Sequence, residues 1–253
     1  MTRFFVRPEQ ISGNLVTLDG DDSHHLRAVL KAQAGDKIAV LDGSGREWPA
    51  VLMEVGKTKS LAQMREPLVL GTEPVTKITV AQALPKVGDK SEQVWQRGTE
   101  VGVSHFWAFE SARSLTHLTD ERHTKRLGRW NEIIKTAAEQ AHRAILPTLR
   151  ADGFLSDVLA AAPDYDLTLL AHAEGTKTLL KDALAATPTP PKNVLIIIGP
   201  ESGFGFDEVK AASAAGVSVV SLGPRVLRTE TAALVMAAQI LFALEPSPPP
   251  DGA

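Results

Sequence analysis

The stretch IIIGPESGFGFDE (196–208) reads as a buried strand, a Gly/Pro turn and a helix start, with Asp207 placed to cap the helix. One strand later, SLGPRVLRTET (221–231) repeats the arrangement. In an open α/β sheet, ligands bind beyond the carboxyl ends of strands, where free backbone amides and helix N-termini collect. Gly199, Gly203 and Gly205 let the backbone come close to such a ligand. The first loop lacks the third glycine of a dinucleotide fingerprint and the Lys-Ser/Thr of a P-loop. Glu201 in one loop, with Arg225, Arg228 and Glu230 in the other, points to a concave polar site. Thr229 ahead of Glu230 also fits plain helix capping.

Around these loops, from Val75 onward, strands and helices alternate. Strands are expected at 77–83, 105–110, 166–171, 193–198 and 217–222. Helices are expected near 90–101, 120–142, 176–186, 207–215 and 230–244. Such alternation predicts a parallel sheet covered on both faces. TAALVMAAQILFAL (231–244) has almost no polar face, only Thr231 and Gln239. A helix apolar all round must be buried all round, which favours a dimer contact over burial within its own chain. Thr187–Pro191 is a stiff connector, and residues 247–253 form a Pro-rich disordered tail.

Residues 1–70 read differently. Short runs at 3–6, 14–18, 37–41 and 48–55 are separated by Gly and Asp turns, with one helix at 22–32 capped by Asp22 or Ser23. Several short strands in so few residues suggest a small barrel. Residues 71–75 then link it to the α/β region.

The 253 residues contain no cysteine, which excludes disulfides, thiolate metal sites and thiol nucleophiles. The seven histidines show no H-x-x-x-H, and His24 and His25 would point about 100° apart on a helix, so no metal is implied. No run approaches the roughly 20 apolar residues of a membrane span, and the first residues lack a signal-peptide core. A cytoplasmic protein without membrane association is expected. The net charge of −3 is uneven: residues 113–150 carry eight basic and four acidic side chains, residues 151–253 six and twelve. That positive segment reads either as a field steering an anion or as an ordinary solvated face.

GPESGF (199–204) with LGPRVLRTETA (222–232) resembles the SPOUT-class methyltransferases, and more narrowly the 16S ribosomal RNA uridine-N3 methyltransferases. The resemblance spans nearly the whole chain. HHLRAVLK (24–31), ALPK (83–86), TEVGV (99–103), SARS (111–114) and AEQAHR (138–143) match successive blocks in order. Ser202 stands where that family usually has glycine, Lys31 where it has arginine, and one extra residue sits in KVGDK (86–90).

The resemblance implies a PUA-like, RNA-binding β-barrel over residues 1–70, and a SPOUT α/β domain over 75–246 whose C-terminal chain threads a trefoil knot. Patterning alone would never propose a knot. It implies a homodimer with the active site at the subunit boundary and S-adenosylmethionine held by the knot loops. The cofactor positions are Leu170 and Ala171 at one strand end, Ile198, Gly199, Pro200, Glu201 and Gly203 in the first loop, and Ser221, Leu222, Gly223, Val226 and Leu227 in the second. Ribosomal RNA or the small ribosomal subunit would be the partner. Contacts to it are expected from Arg3, His25, Arg27 and Lys31 in the barrel, and from Lys86, Lys90, Arg113 and Arg143 in the α/β region. Methyl transfer to N3 needs an imide proton removed: Arg225 and Arg228 could stabilise the anion, and Glu201 or Glu230 could accept the proton. With no cysteine, the covalent route to base-carbon methylation is closed. Two other readings stay open, a SPOUT-class transfer-RNA methyltransferase and a catalytically silent RNA-binding ribosome-assembly protein.

Overall fold

The computed structural model describes residues 1–85, 89–114, 120–176 and 178–245, which form two compact units. The first comprises Met1–Glu73 with Lys135–Leu146. Its strands are β1 (Thr2–Phe5), β2 (Ile11–Ser12), β3 (Leu15–Asp19), β4 (Lys37–Leu41), β5 (Arg46–Val55), β6 (Lys59–Met64) and β7 (Leu68–Val69). They join one sheet in the order β1-β4-β5-β6-β3-β2, with β7 beside β5. β1 runs parallel to β4, and the other pairs are antiparallel. β3 shows why this segment is a strand: Val16 and Leu18 point into the core with Phe4, Leu26, Val40 and Leu52, while their neighbours face outward. β6 was not evident from sequence because two of its three inward residues are the small Ser60 and Ala62, which hide the alternation.

The expected helix at 22–32 begins earlier. α1 (Gly20–His24) runs into a π-helical turn over His25–Val29, and the chain leaves through Lys31 at a φ of 52°. Neither expected residue caps it. Asp22 takes the Lys135 ammonium at 2.7 Å, Ser23 is buried against the Ser60 hydroxyl at 2.8 Å, and Asp19 occupies the cap position.

The second unit comprises Pro74–Ile134 and Pro147–Ala253. Its elements are β8 (Lys77–Ala83), α2 (Asp89–Val101), β9 (His105–Glu110), α3 (Asp120–Gln140, whose last residues belong to the first unit), β10 (Thr148–Phe154), α4 (Leu155–Ala160), β11 (Leu167–Ala171), α5 (Leu180–Ala185), β12 (Asn193–Ile198), α6 (Phe206–Ala214), β13 (Ser218–Val220) and α7 (Thr229–Leu244). Six strands form an all-parallel sheet in the order β10-β9-β8-β12-β11-β13. The central strands β8 and β12 are buried almost throughout because both faces are covered. Trp95 of α2 packs edge-on against Phe106 and Trp130, and all three are buried.

Three local expectations need correction. Thr178–Leu179 is extended rather than helical, because Ser221 donates its N–H to Thr178 and accepts from Leu180, so α5 starts late. Gly205, not Asp207, is the cap of α6, and the Glu208 carboxylate accepts its N–H at 2.8 Å. α7 is buried on one side only: Ala233, Met236, Ala237, Ile240 and Leu241 face their own unit, whereas Ala238, Gln239 and Phe242 are exposed.

Arg143, expected at an RNA surface, is 3% exposed. Its guanidinium meets the Glu73 carboxylate at 2.6 Å, and that carboxylate also accepts the N–H groups of Ala144 and Ile145. Burial works to raise the Glu73 pKa, but the Arg143 hydrogen bond and charge and the two amides outweigh it, so it lies below its ordinary 4.5. A depressed carboxyl contributes stability above that ordinary value and loses it as the pH falls through the folded value. Glu73→Gln takes the carboxylate charge from the buried guanidinium and should cost about 3 kcal/mol at pH 7. In urea melts the gap to the unsubstituted protein should narrow below pH 4.5; equal midpoints at pH 7 would refute the role.

Candidate active site

The carboxyl ends of β11, β12 and β13 carry the loops that the sequence singled out. In the first, Gly203 adopts a φ of 65° and returns its N–H to the Pro200 carbonyl at 2.9 Å. Phe204 is buried and anchors the loop. Gly199 packs so closely that a Cβ there would stand 3.2 Å from the Phe204 ring. In the second loop Gly223 has a φ of 115°, a conformation L side chains rarely adopt.

The two loops are tied together. Thr229, the first residue of α7, donates its hydroxyl to the Gly199 carbonyl at 2.5 Å and accepts the Gln82 amide at 2.9 Å. Its hydroxyl therefore does not cap α7, whose cap position is Arg228.

Between the loops lies a cavity of about 690 Å³. Of the positions named from the sequence, Ala171, Ile198, Gly199, Pro200, Glu201 and Gly203 line it on one side. Ser221, Leu222, Gly223, Arg225, Val226, Leu227 and Arg228 line the other, and Lys90 and Arg113 reach it from elsewhere. Two do not. Leu170 is fully buried in the sheet core, and Glu230 is 6% exposed with one carboxylate oxygen lacking a partner among the described residues, off the cavity wall. Missed were His172, Ala173 and Glu174 after β11, with Ser202, Phe204, Thr229 and Ala232. The strand-end rule that selected Ala171 would have found the first three.

Lys90 meets Glu201 at 2.8 Å, and the Arg113 guanidinium donates to the Ser202 carbonyl at 2.9 Å. Among the described residues Arg225 and Arg228 have no hydrogen-bond partner, and both are exposed. The cavity thus sets four cations and the carboxylates of Glu201 and Glu174 against the two loops, a setting that favours a ligand on which negative charge develops.

In the first unit, His25, Arg27 and Lys31 are exposed, with the His25 ring edge-on to Phe4. Arg3 is not a free surface cation: it pairs with buried Glu47 at 2.7 Å. Lys86 lies outside the described residues.

Residues 72–241 match the RNA methyltransferase domain family, and residues 18–64 match the RNA methyltransferase PUA domain. The chain is 33% identical over 251 residues to ribosomal RNA small subunit methyltransferase E of Bacillus subtilis, covering 97% of this chain and 98% of that one. It is likewise 33% identical to the protein of that name from Mycobacterium tuberculosis, over 92% of this chain and 88% of the other. A ribosomal RNA small subunit methyltransferase E from Neisseria gonorrhoeae, crystallised with S-adenosyl methionine, superposes with a TM-score of 0.85 at 29% identity, covering 96% of this chain and 98% of that one. With the cavity at the carboxyl edge of a parallel sheet and a match over nearly its full length, the chain belongs to the ribosomal RNA small subunit methyltransferase E family of RNA methyltransferases.

Proposed function

We propose that this protein methylates N3 of a uridine in 16S ribosomal RNA, using S-adenosylmethionine. The observation that carries this reading is the single cavity in which two Gly-Pro loops, four cations and Glu201 converge. The residues fit the donor. Ile198, Leu222 and Leu227 offer apolar walls for an adenine ring, and no protein atom lies within 4 Å of where a Cβ on Gly223 would stand. The sulfonium cofactor supplies an electrophilic methyl group. Arg225 and Arg228 hold the base and offset the charge that develops on its oxygens. Glu201, which stands on the wall between the two loops with Glu174 further along it, is the carboxylate assigned to the imide proton, and Glu230 is not on the wall.

In the same reading residues 1–70 grip RNA through His25, Arg27 and Lys31, residues 75–246 carry the chemistry, and the protein works in the cytoplasm. Two finer points belong with it. The chain passes from β12 out to β13, then returns in α7 to pack on β12, β8 and α2, a path compatible with a trefoil knot. The exposed side of α7 borders a second cavity of about 730 Å³ lined by Leu179, Leu180, Leu184 and Phe242, with Phe242 91% exposed, which supports a homodimer through α7.

Nucleoside analysis of 16S ribosomal RNA from a deletion strain, with and without complementation, tests the substrate. A mark lost from transfer RNA would move it there, and absence of S-adenosylmethionine binding by calorimetry would make the protein a silent RNA-binding module. Gly223→Val forces a branched residue into a positive φ and fills the cavity wall, so cofactor affinity should fall at least about tenfold while circular dichroism stays unchanged. Arg228→Ala should lower single-turnover methylation about 100-fold with little change in RNA affinity, whereas Arg27→Ala should weaken RNA binding and reduce its salt slope by about one. The reverse pattern would exchange their roles. Phe242→Asp should shift the mass seen by light scattering from dimer to monomer; an unaltered dimer would place the interface elsewhere.

A further inference from the structure

Lys90 and Glu201 come to the cavity from separate places, the first turn of α2 and the loop after β12, and meet at 2.8 Å with side chains 26% and 30% exposed. A half-exposed pair of this kind contributes only about 0–1 kcal/mol to stability, so the fold does not require it. Its position is what distinguishes it. Arg113, on the same wall, is held by a backbone carbonyl, and Arg225 and Arg228 have no partner among the described residues, so Lys90 is the wall cation set directly on a carboxylate. A lysine kept for backbone phosphates gains nothing from an adjacent carboxylate, which cancels its field. A lysine that must meet an anion formed by that same carboxylate gains its placement from it.

We propose that Lys90 and Glu201 act as one catalytic unit on the reacting base, which reassigns Lys90 from the RNA backbone to the chemistry. This rests on the uridine-N3 reading above. The N3–H bond breaks and its proton passes to Glu201, while the electron pair stays on N3. The Lys90 ammonium, released from Glu201 as that carboxyl is neutralised, donates a hydrogen bond to the neighbouring carbonyl oxygen, where much of the negative charge resides. The N3 pair then forms the bond to the methyl carbon of the sulfonium donor, whose sulfur keeps the electrons of the broken C–S bond. Glu201 afterwards gives its proton to water, and the ion pair reforms. Lys90 thus exchanges one counter-charge for another and is not left unpaired during the step.

The test uses the full-length protein and RNA carrying either uridine or the more acidic 5-fluorouridine at the target position. Lys90→Ala and Glu201→Gln should each lower single-turnover methylation of the uridine substrate about 100-fold, with RNA affinity within twofold. The double variant should be no slower than the worse single one, because the two act together. Lys90→Arg should recover part of the rate. With 5-fluorouridine the deficit of each single variant should shrink at least tenfold, since less proton abstraction is asked of the protein. A second readout needs no cofactor: difference absorbance of bound 5-fluorouridine RNA should show the base ionising at lower pH on the unsubstituted protein than on Lys90→Ala. Calorimetry with S-adenosylmethionine checks that each variant keeps its cavity. Loss of affinity and salt slope in Lys90→Ala, with saturated turnover unchanged, would return Lys90 to a phosphate and overturn the proposal. Equal deficits on both nucleotides would overturn it as well. If the unsubstituted protein places its methyl group anywhere but N3, the parent reading fails; if the methyl is on N3 and 5-fluorouridine rescues nothing, only the Lys90–Glu201 unit fails.

Discussion

The hydrogen bond from the Thr229 hydroxyl to the Gly199 carbonyl is the joint on which the cavity depends. Gln82 stands in the buried strand β8, opposite Ile198 of β12, and is itself fully buried. A buried amide must be paired or it costs several kcal/mol of desolvation. Its NH2 group is spent on the Ala83 carbonyl and on Thr229, its own carbonyl oxygen has no partner among the described residues, and Thr229 passes the connection on to Gly199. One polar side chain in the sheet thereby sets where β12 ends and where α7 begins. Glu245, at the other end of α7, accepts the N–H groups of Val75 and Thr76 and ties the helix to the entrance of β8. A helix held at both ends to one strand carries the 221–228 loop to a fixed place beside the 199–205 loop.

That joint also explains what was legible beforehand. β8, β9 and β12 announce themselves because they are buried on both faces and bounded by turn residues, so their limits coincide with the expected ones. β10 did not, because an edge strand carries polar residues such as Arg150, which lies 3.6 Å above the buried Trp107 ring. The Gly-Pro loops were legible as backbone able to approach a ligand. The roles of single side chains within them were not. Thr229 and Glu230 look like a capping pair in sequence, yet one hydroxyl reaches across to another strand's loop and one carboxylate turns inward. Those directions depend on which strand lies next to β12, and strand order is not written in local pattern.

α7 shows the same limit on a larger scale. Its composition is apolar all round, which describes a helix covered everywhere. Its own unit covers one side, and the side bearing Phe242 remains open. Composition reports the total demand for burial but cannot divide it between the chain itself and a second copy.

Charge is the subtlest case. Residues 113–150 carry the densest run of cations in the chain, yet most of those described have local partners. Lys135 is held by Asp22, Arg129 by Glu92, Arg143 by Glu73 and Arg150 by Asp152, each at 2.9 Å or less. A cation so paired projects little field toward an approaching polyanion. Of the cations that line the cavity only Arg113 belongs to that run; Lys90 precedes it, and Arg225 and Arg228 lie in the acidic C-terminal region. Where a negative charge is to be met inside a partly dry cavity, a few positioned guanidinium groups outweigh the net charge of the segment they sit in, because the interaction grows as the distance and the local dielectric fall. The count of charges along the chain therefore says little about where the cavity's cations stand, whereas the short motif RVLR (225–228) places two of them on its wall.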